Sequence, residues 1–557
     1  MTRTTPSAAE RFRKRRSFLP IARRLLGIED FRPGQEAALD ALFDGHDVLA
    51  VLPTGWGKSA IYQIAASVIP GPTVVISPLI ALQKDQADRL QHDAAGGAAI
   101  INSGVGALRQ QEAFDDLEQR DLEFIFLAPE QLHREEVIER LLDARPSLLV
   151  VDEAHCISEW GHDFRPDYLR IGAVIDALGH PAVLALTATA SVSVREEIVE
   201  RLQMRRPKVI VGELDRPNIW LGVVTADSAR EKRRKLLDAV VAAEKPGIVY
   251  AASRRQAEEI SAELDDRGLR VRCYHGGMSR RDREAAQAAF MGEGGTTADV
   301  MVATSAFGMG IDKPDVRFVF HNDVTGSLDA YYQELGRAGR DGAPARAVLF
   351  YRPEDLGLQK FFAAGGRLRQ GDIAKVGEAI AGAEAVGEQA LREQTGLSRA
   401  RLARITAGLE DHGLLEQREP GVFRAAGDGR DGPELADTLL EREEGHRRYL
   451  LERLERMRVY AELRDCRRQY LLEYFGEPAP ACGRCDNCDN GLTGNRGATE
   501  ERPFRVGSRI EHGKLGKGVV LGYEGHHMTV LFDEDGEKVI DVTFALEHGM
   551  LRSPNGN

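Results

Sequence analysis

The segment Leu52-Pro53-Thr54-Gly55-Trp56-Gly57-Lys58-Ser59 sets glycines, a lysine and a hydroxyl between an apolar run and a helical pattern. Glycines let backbone N–H groups close around phosphate oxygens, and the N-terminus of the following helix adds positive potential. Lys58 would then contact the β and γ phosphates of ATP, and Ser59 would hold Mg²⁺. The competing interpretation, a glycine-rich turn with a chance Lys-Ser, is disfavoured by the strand and helix on either side. Asp152-Glu153-Ala154-His155 ends a second apolar run, Leu148-Leu149-Val150-Val151. An acidic pair at the carboxyl end of a parallel strand faces the ligand crevice. Asp152 would complete the Mg²⁺ shell, and Glu153 would position and polarise the attacking water. Alone, the pair could equally open a helix; the upstream loop favours the catalytic assignment. A third group is Gln333-Glu334-Leu335-Gly336-Arg337-Ala338-Gly339-Arg340. Two arginines three residues apart share one helix face. Across a cleft, Arg337 or Arg340 can act as an arginine finger, an effect of ~10³–10⁵ in rate. A solvated basic helix is the alternative, against which the glycines argue.

Such groups need two walls to bring them together. Apolar runs occur at residues 47–52, 73–76, 123–127, 147–151 and 182–186, and again at 247–250, 270–274, 299–303, 317–320 and 345–351, with helical patterns between. Runs buried on both faces and separated by helices signal parallel sheets. Two sets of five predict two α/β lobes, residues 21–205 and 206–355, with the join near 201–222. A basic tail, 1–20, precedes them. Beyond 355 the pattern is helical to about residue 415. A charge-rich helical stretch then leads to Cys466, Cys482, Cys485 and Cys488. Four thiolates suit tetrahedral Zn²⁺, with an iron–sulfur cluster as the alternative; in either case four protein ligands leave no open position, so the metal is structural. These segments are expected as a helical unit, 356–433, a zinc module, 434–490, a polar linker, 491–502, and a β-rich tail, 503–557.

The chain has 557 residues, 43% of them hydrophobic, with a net charge of −13. That length holds about three or four domains of ~150 residues. No apolar stretch is long enough to span a membrane. Arg23 and Arg24 interrupt the segment after the N-terminal basic run, which argues against a secretory signal and for a cytoplasmic protein. The acidic balance weighs mildly against a nucleic-acid binder, although local patches decide affinity.

These motifs resemble the RecQ branch of superfamily-two DNA helicases across roughly residues 20–355 and again at the cysteines. Phe31-Arg32-Pro33-Gly34-Gln35 resembles the adenine-reading motif, which implies nucleotide contacts from Phe31, Arg32 and Gln35. Ser77-Pro78-Leu79-Ile80-Ala81-Leu82 and Leu127-Ala128-Pro129-Glu130 resemble DNA-contact motifs, and Thr187-Ala188-Thr189-Ala190 a coupling motif. Ala306-Phe307-Gly308-Met309-Gly310-Ile311-Asp312-Lys313-Pro314 and the segment from Tyr331-Tyr332-Gln333 through Gly342 resemble the second lobe's motifs, which implies nucleotide roles for Asp312 and Gln333. Cys156-Ile157-Ser158-Glu159-Trp160-Gly161-His162-Asp163-Phe164-Arg165-Pro166 resembles the aromatic-rich loop that senses single-stranded DNA. Trp160 and Phe164 offer faces for bases, a stacking contact of ~1–3 kcal/mol each, while His162 and Arg165 can meet phosphate or carboxylate. Without the resemblance, these aromatics could simply pack beneath the lobe. Arg467 and Arg468 are candidates for DNA-backbone contact or for a solvated basic turn.

Three features depart from the family pattern. Trp56 stands where a glycine is usual, a position from which it could shape access to the nucleotide. The winged helix is not evident after Cys488; residues 390–398 and the stripe Leu402, Ile405, Leu409 suggest one upstream instead, with a bracing helical pair as the alternative. The tail resembles a small SH3- or Tudor-like barrel of the kind that docks on RNA polymerase, or else a stabilising appendage. The expected activity is ATP-dependent 3′-to-5′ unwinding of single-stranded and forked DNA substrates in repair or recombination, the polarity coming from the resemblance. The alternatives are an RNA helicase, a non-unwinding translocase, or a DNA-binding regulator with an inert motor.

Overall fold

The computed structural model describes residues 18–53, 55–78, 97–102, 104–158, 165–295, 297–308, 313–364, 369–381, 385–411, 414–419, 421–426, 432–493, 503–504, 508–524, 526–533 and 535–552, with the isolated positions 83, 87 and 90. Thr54, Trp160, His162, Phe164 and Asp312 lie outside the described residues, as do most of the N-terminal tail and of the 491–502 linker.

The first lobe is a seven-stranded sheet built from β1 (Val48–Val51), β2 (Thr73–Ile76), β3 (Ala98–Ile101), β4 (Phe124–Leu127), β5 (Leu148–Val151), β6 (Ala182–Thr187) and β7 (Lys208–Val211), ordered β3-β4-β2-β5-β6-β1-β7. Every pairing is parallel. β1, β2, β4 and β5 are buried along their whole length, because apolar side chains leave both faces and helices cover each. The second lobe has β8 (Ile219–Thr225), β9 (Gly247–Tyr250), β10 (Val271–Tyr274), β11 (Val300–Ala303), β12 (Phe318–His321) and β13 (Ala345–Tyr351), ordered β10-β11-β9-β12-β13-β8 and also parallel.

All ten apolar runs form strands, and three more join them. β3 is short and alanine-rich, so its run is weak. β7 is an edge strand with Val209 and Val211 exposed, which blurs its apolar signature. It pairs with β1, so the first sheet takes a strand from beyond residue 205, where the sequence places the join. β8 begins inside the stretch expected to link the lobes.

Downstream, the helices Gln370–Ile380, Glu388–Thr395 and Arg399–Asp411 pack on a small antiparallel sheet of β14 (Val386–Gly387), β15 (Leu415–Glu419) and β16 (Val422–Ala425). Gly396, at φ 66°, ends the second of these helices in the left-handed region that glycine tolerates. A 31-residue helix, Gly432–Glu462, leads to the Arg467–Tyr474 helix and the cysteines. The tail is a five-stranded antiparallel sheet of β17 (Arg509–His512), β18 (Gly516–Glu524), β19 (His527–Phe532), β20 (Gly536–Asp541) and β21 (Leu551–Arg552), ordered β20-β19-β18-β17-β21. One apolar cluster runs from the second lobe (Leu335, Leu349) through the long helix (Leu454, Met457, Tyr460) into the tail sheet (Val520, Val530, Phe532). Among the described residues no helix is long and apolar enough to cross a membrane.

Candidate functional site between the two lobes

β5, β6 and β1 are neighbours, so the groups at their carboxyl ends converge. Lys58 begins the Lys58–Ala66 helix after Gly57, whose φ of 75° favours glycine; a β-carbon there would also lie 2.7 Å from Gln35 Nε2. Lys58 Nζ donates to the Leu52 carbonyl at 3.2 Å. Burial lowers its pKa, Glu153 and Asp152 pull it back up, and Arg340 of the second lobe pushes it down. Asp152 is buried, and its pKa is pushed up to about 7, first by burial and then by the charge of Glu153. Ser77 Oγ donates to its carboxylate at 3.3 Å, and Tyr168 donates to its backbone carbonyl at 2.9 Å. A buried and a partly buried carboxylate that repel each other beside a phosphate loop fit a divalent cation arriving with nucleotide.

Glu153 has φ 47°, a left-handed backbone that non-glycine residues rarely adopt and that tends to mark functional sites. Its carboxylate lies 3.4 Å from His155 Nδ1, which is 2.9 Å from Thr187 Oγ1. The Thr187 hydroxyl donates onward to the Thr189 carbonyl at 3.0 Å, so the imidazole hydrogen facing Thr187 belongs on Nδ1. Burial drives the His155 pKa down to about 3, leaving a neutral ring. The acidic pair and the Thr187–Ala190 segment are thus joined through one neutral histidine.

The adenine-reading motif and the phosphate loop are stitched together. Gln35 Nε2 donates to the carbonyls of Trp56 (3.1 Å) and Gly57 (2.9 Å), while its Oε1 accepts from the Arg32 N–H (2.9 Å). Trp56 Nε1 donates to the Pro33 carbonyl at 3.2 Å, the Arg32 guanidinium lies 5.7 Å from the indole centroid, and Arg32 also donates to the Gly55 carbonyl. Phe31 packs against the same apolar cluster as Trp56. Trp56 therefore faces the adenine-reading segment.

In the second lobe the Leu328–Leu335 helix, which carries Gln333, ends before the arginines. Arg337 and Arg340 consequently do not share a helix face. They lie on a turn through Gly339, at φ 55°, where a β-carbon would meet Asn218 Nδ2 at 2.4 Å. The two side chains part. Arg337 is buried, bonds the Tyr250 hydroxyl and lies 3.6 Å from the place of a Gly308 β-carbon. Arg340 instead reaches the first lobe: a β-carbon on Gly55 would lie 3.6 Å from its Cδ. Two residues without a motif signal hold this turn. Arg216 donates to the carbonyls of Gly336 (3.1 Å), Ala338 (2.8 Å) and Gly339 (3.0 Å), and Asn218 to those of Gly339 (2.7 Å) and Ala343 (2.9 Å). Their partners lie more than 115 positions along the chain, so no local pattern exposes them.

Among the residues expected to touch DNA, Arg165 donates to the Pro78 carbonyl at 3.3 Å, which ties the far end of the aromatic-rich loop to the segment after β2. Ser77 is fully buried and bonded to Asp152, so it faces the acidic pair rather than a DNA surface. Arg467 and Arg468 are neither solvated nor open to DNA. Both are buried: Arg467 pairs with Asp486 at 2.5 Å, and Arg468 with Asp215 at 2.6 Å.

The sulfurs of Cys466, Cys482, Cys485 and Cys488 all lie within 4.8 Å of one another, those of Cys482 and Cys488 3.9 Å apart. Zn–S bonds of about 2.3 Å space tetrahedral sulfurs about 3.8 Å apart, so the set fits zinc. Backbone N–H groups of Cys482 and Arg484 donate to the sulfurs of Cys466 (3.2 Å) and Cys482 (3.3 Å), which favours thiolates.

Two RecA-like lobes with a phosphate loop in one facing an arginine of the other define a nucleotide-driven motor of the helicase class. Family models agree: "DEAD/DEAH box helicase" matches residues 32–198, "Helicase conserved C-terminal domain" 231–342 and "RecQ zinc-binding" 430–489. The chain is 34% identical over 468 residues to the probable ATP-dependent DNA helicase RecS of Bacillus subtilis (strain 168), covering 82% of this chain and 90% of that one. It is 33% identical to the ATP-dependent DNA helicase RecQ of the same organism, covering 83% of this chain and 65% of RecQ, and 40% identical to RecQ of Pasteurella multocida (strain Pm70), covering 60% and 52%. The chain thus belongs to the RecQ family of ATP-dependent DNA helicases, although it spans only half to two thirds of those RecQ proteins. The crystal structure of the DUF1998 helicase MrfA bound to DNA shares the fold at a TM-score of 0.52 and 15% identity, over 76% of this chain and 63% of that one.

Proposed function

We propose that this chain hydrolyses ATP in the interlobe cleft and uses the cycle to move 3′-to-5′ along single-stranded DNA, unwinding tailed or forked duplex in repair or recombination. The observation that carries this reading is the approach of Arg340 to Gly55 and Lys58 with Asp152 and Glu153 beside them. Lys58, Ser59 and Asp152 would hold Mg-ATP, Glu153 would orient water, and Arg340 would meet charge developing on the γ-phosphate. Phe31, Arg32 and Gln35 would read the base, with Gln333 and Asp312 contributing from the second lobe. The polarity rests on family resemblance. Trp160, His162, Phe164 and Arg165 would sense the strand through base stacking and phosphate contact, giving little sequence preference and strong salt dependence.

We read residues 370–426 as a relocated winged helix, supported by the helix–Gly396–helix order and the β15–β16 hairpin. Glu416 on that hairpin lies 3.4 Å from Arg170 of the first lobe. A hairpin held there would favour the second reading, a translocase that unwinds poorly. The tail is read as an SH3- or Tudor-like barrel that braces the long helix and the Arg467–Tyr474 helix, since Tyr470 of the latter donates to the Leu521 carbonyl at 2.7 Å and Gly522 packs on Tyr470 and on Val459 of the former. A protein partner of the barrel, polymerase or other, would use its opposite face.

The test compares wild type with Lys58→Ala for ATPase and strand displacement on 3′-tailed, 5′-tailed, forked and RNA substrates. The expected outcome is DNA-stimulated turnover and displacement from 3′ tails in the wild type alone. Turnover that RNA stimulates as well, or none with any nucleic acid, would refute the reading. Turnover with movement but no displacement selects the translocase.

A further inference from the structure

The turn at residues 475–477, between the Arg467–Tyr474 helix and the cysteine loop, touches both lobes and the stretch between their sheets. The Phe475 carbonyl accepts from Arg195 Nη2 at 2.6 Å, and Nε of the same guanidinium donates to the Ala190 carbonyl at 2.9 Å. Ala190 closes the segment whose Thr187 meets His155. A β-carbon on Gly476 would lie 3.0 Å from Val192 Cγ2, at the start of the Val192–Arg201 helix. Glu477 Oε2 accepts from the Leu214 N–H at 3.1 Å, between the two sheets. The Leu214 carbonyl accepts from the Tyr332 hydroxyl of the second lobe, and the Tyr332 and Phe475 rings pack edge to face at 4.9 Å.

We propose that this turn is the pivot of interlobe closure and that Arg195 is a positioning residue coupling the zinc module to ATP turnover. The inference rests on the motor reading of the cleft. A guanidinium is a planar, rigid fork, so bonding two carbonyls 285 positions apart fixes their separation. Any shift of Ala190 that accompanies a change at Glu153 and His155 is then carried to the zinc module. The Val192–Arg201 helix has a further contact in the same lobe, because Glu197 accepts from Ser158 Oγ at the start of the aromatic-rich segment. It therefore joins the DNA-sensing loop, the coupling segment and the zinc module.

The experiment measures ATP kcat and KM with and without single-stranded DNA, zinc content and Tm for the full chain, Arg195→Met, Arg195→Lys and Gly476→Ala. Arg195→Met is expected to keep zinc, Tm, ATP KM and DNA-independent turnover while losing about tenfold of the DNA-stimulated kcat. Arg195→Lys should recover part of it, since an ammonium can reach one carbonyl but cannot reproduce the fork. Gly476→Ala perturbs the junction from the zinc side and should lower stimulation with zinc still bound. Normal stimulation in Arg195→Met overturns the proposal. If that variant does not fold, normal stimulation in zinc-loaded Gly476→Ala overturns it. A wild type lacking stimulation sinks the motor reading itself.

Discussion

The two lobes share a parallel sheet yet contribute to the cleft in different ways. In the first, the phosphate loop, the acidic pair and Thr187 leave the ends of three adjacent strands, so the sheet itself sets their spacing. In the second, the arginines sit on a turn beyond a helix, to whose carbonyl oxygens Arg216 and Asn218 donate. A sheet edge gives a rigid pocket; a turn held by five side-chain hydrogen bonds, the Gly339 N–H on the Val316 carbonyl and the Arg317–Asp341 ion pair gives an arm whose placement depends on a few residues. This is the division expected of a motor whose cleft must close and reopen on one side.

The largest effect that could break this comparison is the difference between the two arginines. Arg340→Ala should lower kcat by ~10³-fold or more with little change in ATP KM. Arg337→Ala should instead lower Tm by withdrawing a buried charge from Tyr250; equal kinetic losses with equal Tm would erase the distinction. Next, Glu153→Gln should retain ATP binding and reduce kcat by ~10²–10⁴-fold, and near-normal turnover would remove Glu153 from the chemistry. Asn218→Ala tests the arm: losing two bonds to carbonyls, at about 1 kcal/mol each, should cut kcat roughly tenfold while the first lobe binds nucleotide normally. Mg-ATP affinity should also depend on pH. Asp152 has a raised pKa near 7, so it is protonated below that pH in the metal-free protein and must ionise to bind the cation. Affinity measured by calorimetry should therefore weaken as pH falls below about 7, by up to about tenfold per unit, and a flat profile from pH 6 to 8 would contradict the assignment. The smallest effect is Trp56→Phe, which removes the N–H to Pro33 and trims the ring beside the Arg32 guanidinium; it should change ATP KM by about twofold to fivefold, the scale of one hydrogen bond.

Much of the site was legible because its signals are local. Gly57, Lys58 and Ser59 are contiguous since a phosphate is small, and Asp152 and Glu153 come directly after an apolar run that signals an interior strand. The cysteines were legible as well, since the C-x-x-C-x-x-C spacing brings three sulfurs together within one loop. The weaker strands β3 and β7 escaped because an alanine-rich run and an exposed edge carry little hydrophobic contrast.

What the amino-acid order determined on its own was chemistry within reach of a few residues: which groups are candidates to bind phosphate, which carry charge, and where parallel strands begin. Tertiary structure alone decided which arginine crosses the cleft, that Ser77 turns inward to Asp152, and that Arg467 and Arg468 are buried in ion pairs. It also decided that Arg195, Arg216 and Asn218 hold distant carbonyls in place. Backbone carbonyls are identical at every residue, so a side chain that bonds them leaves no complementary mark in the sequence, and only the fold shows where it is aimed.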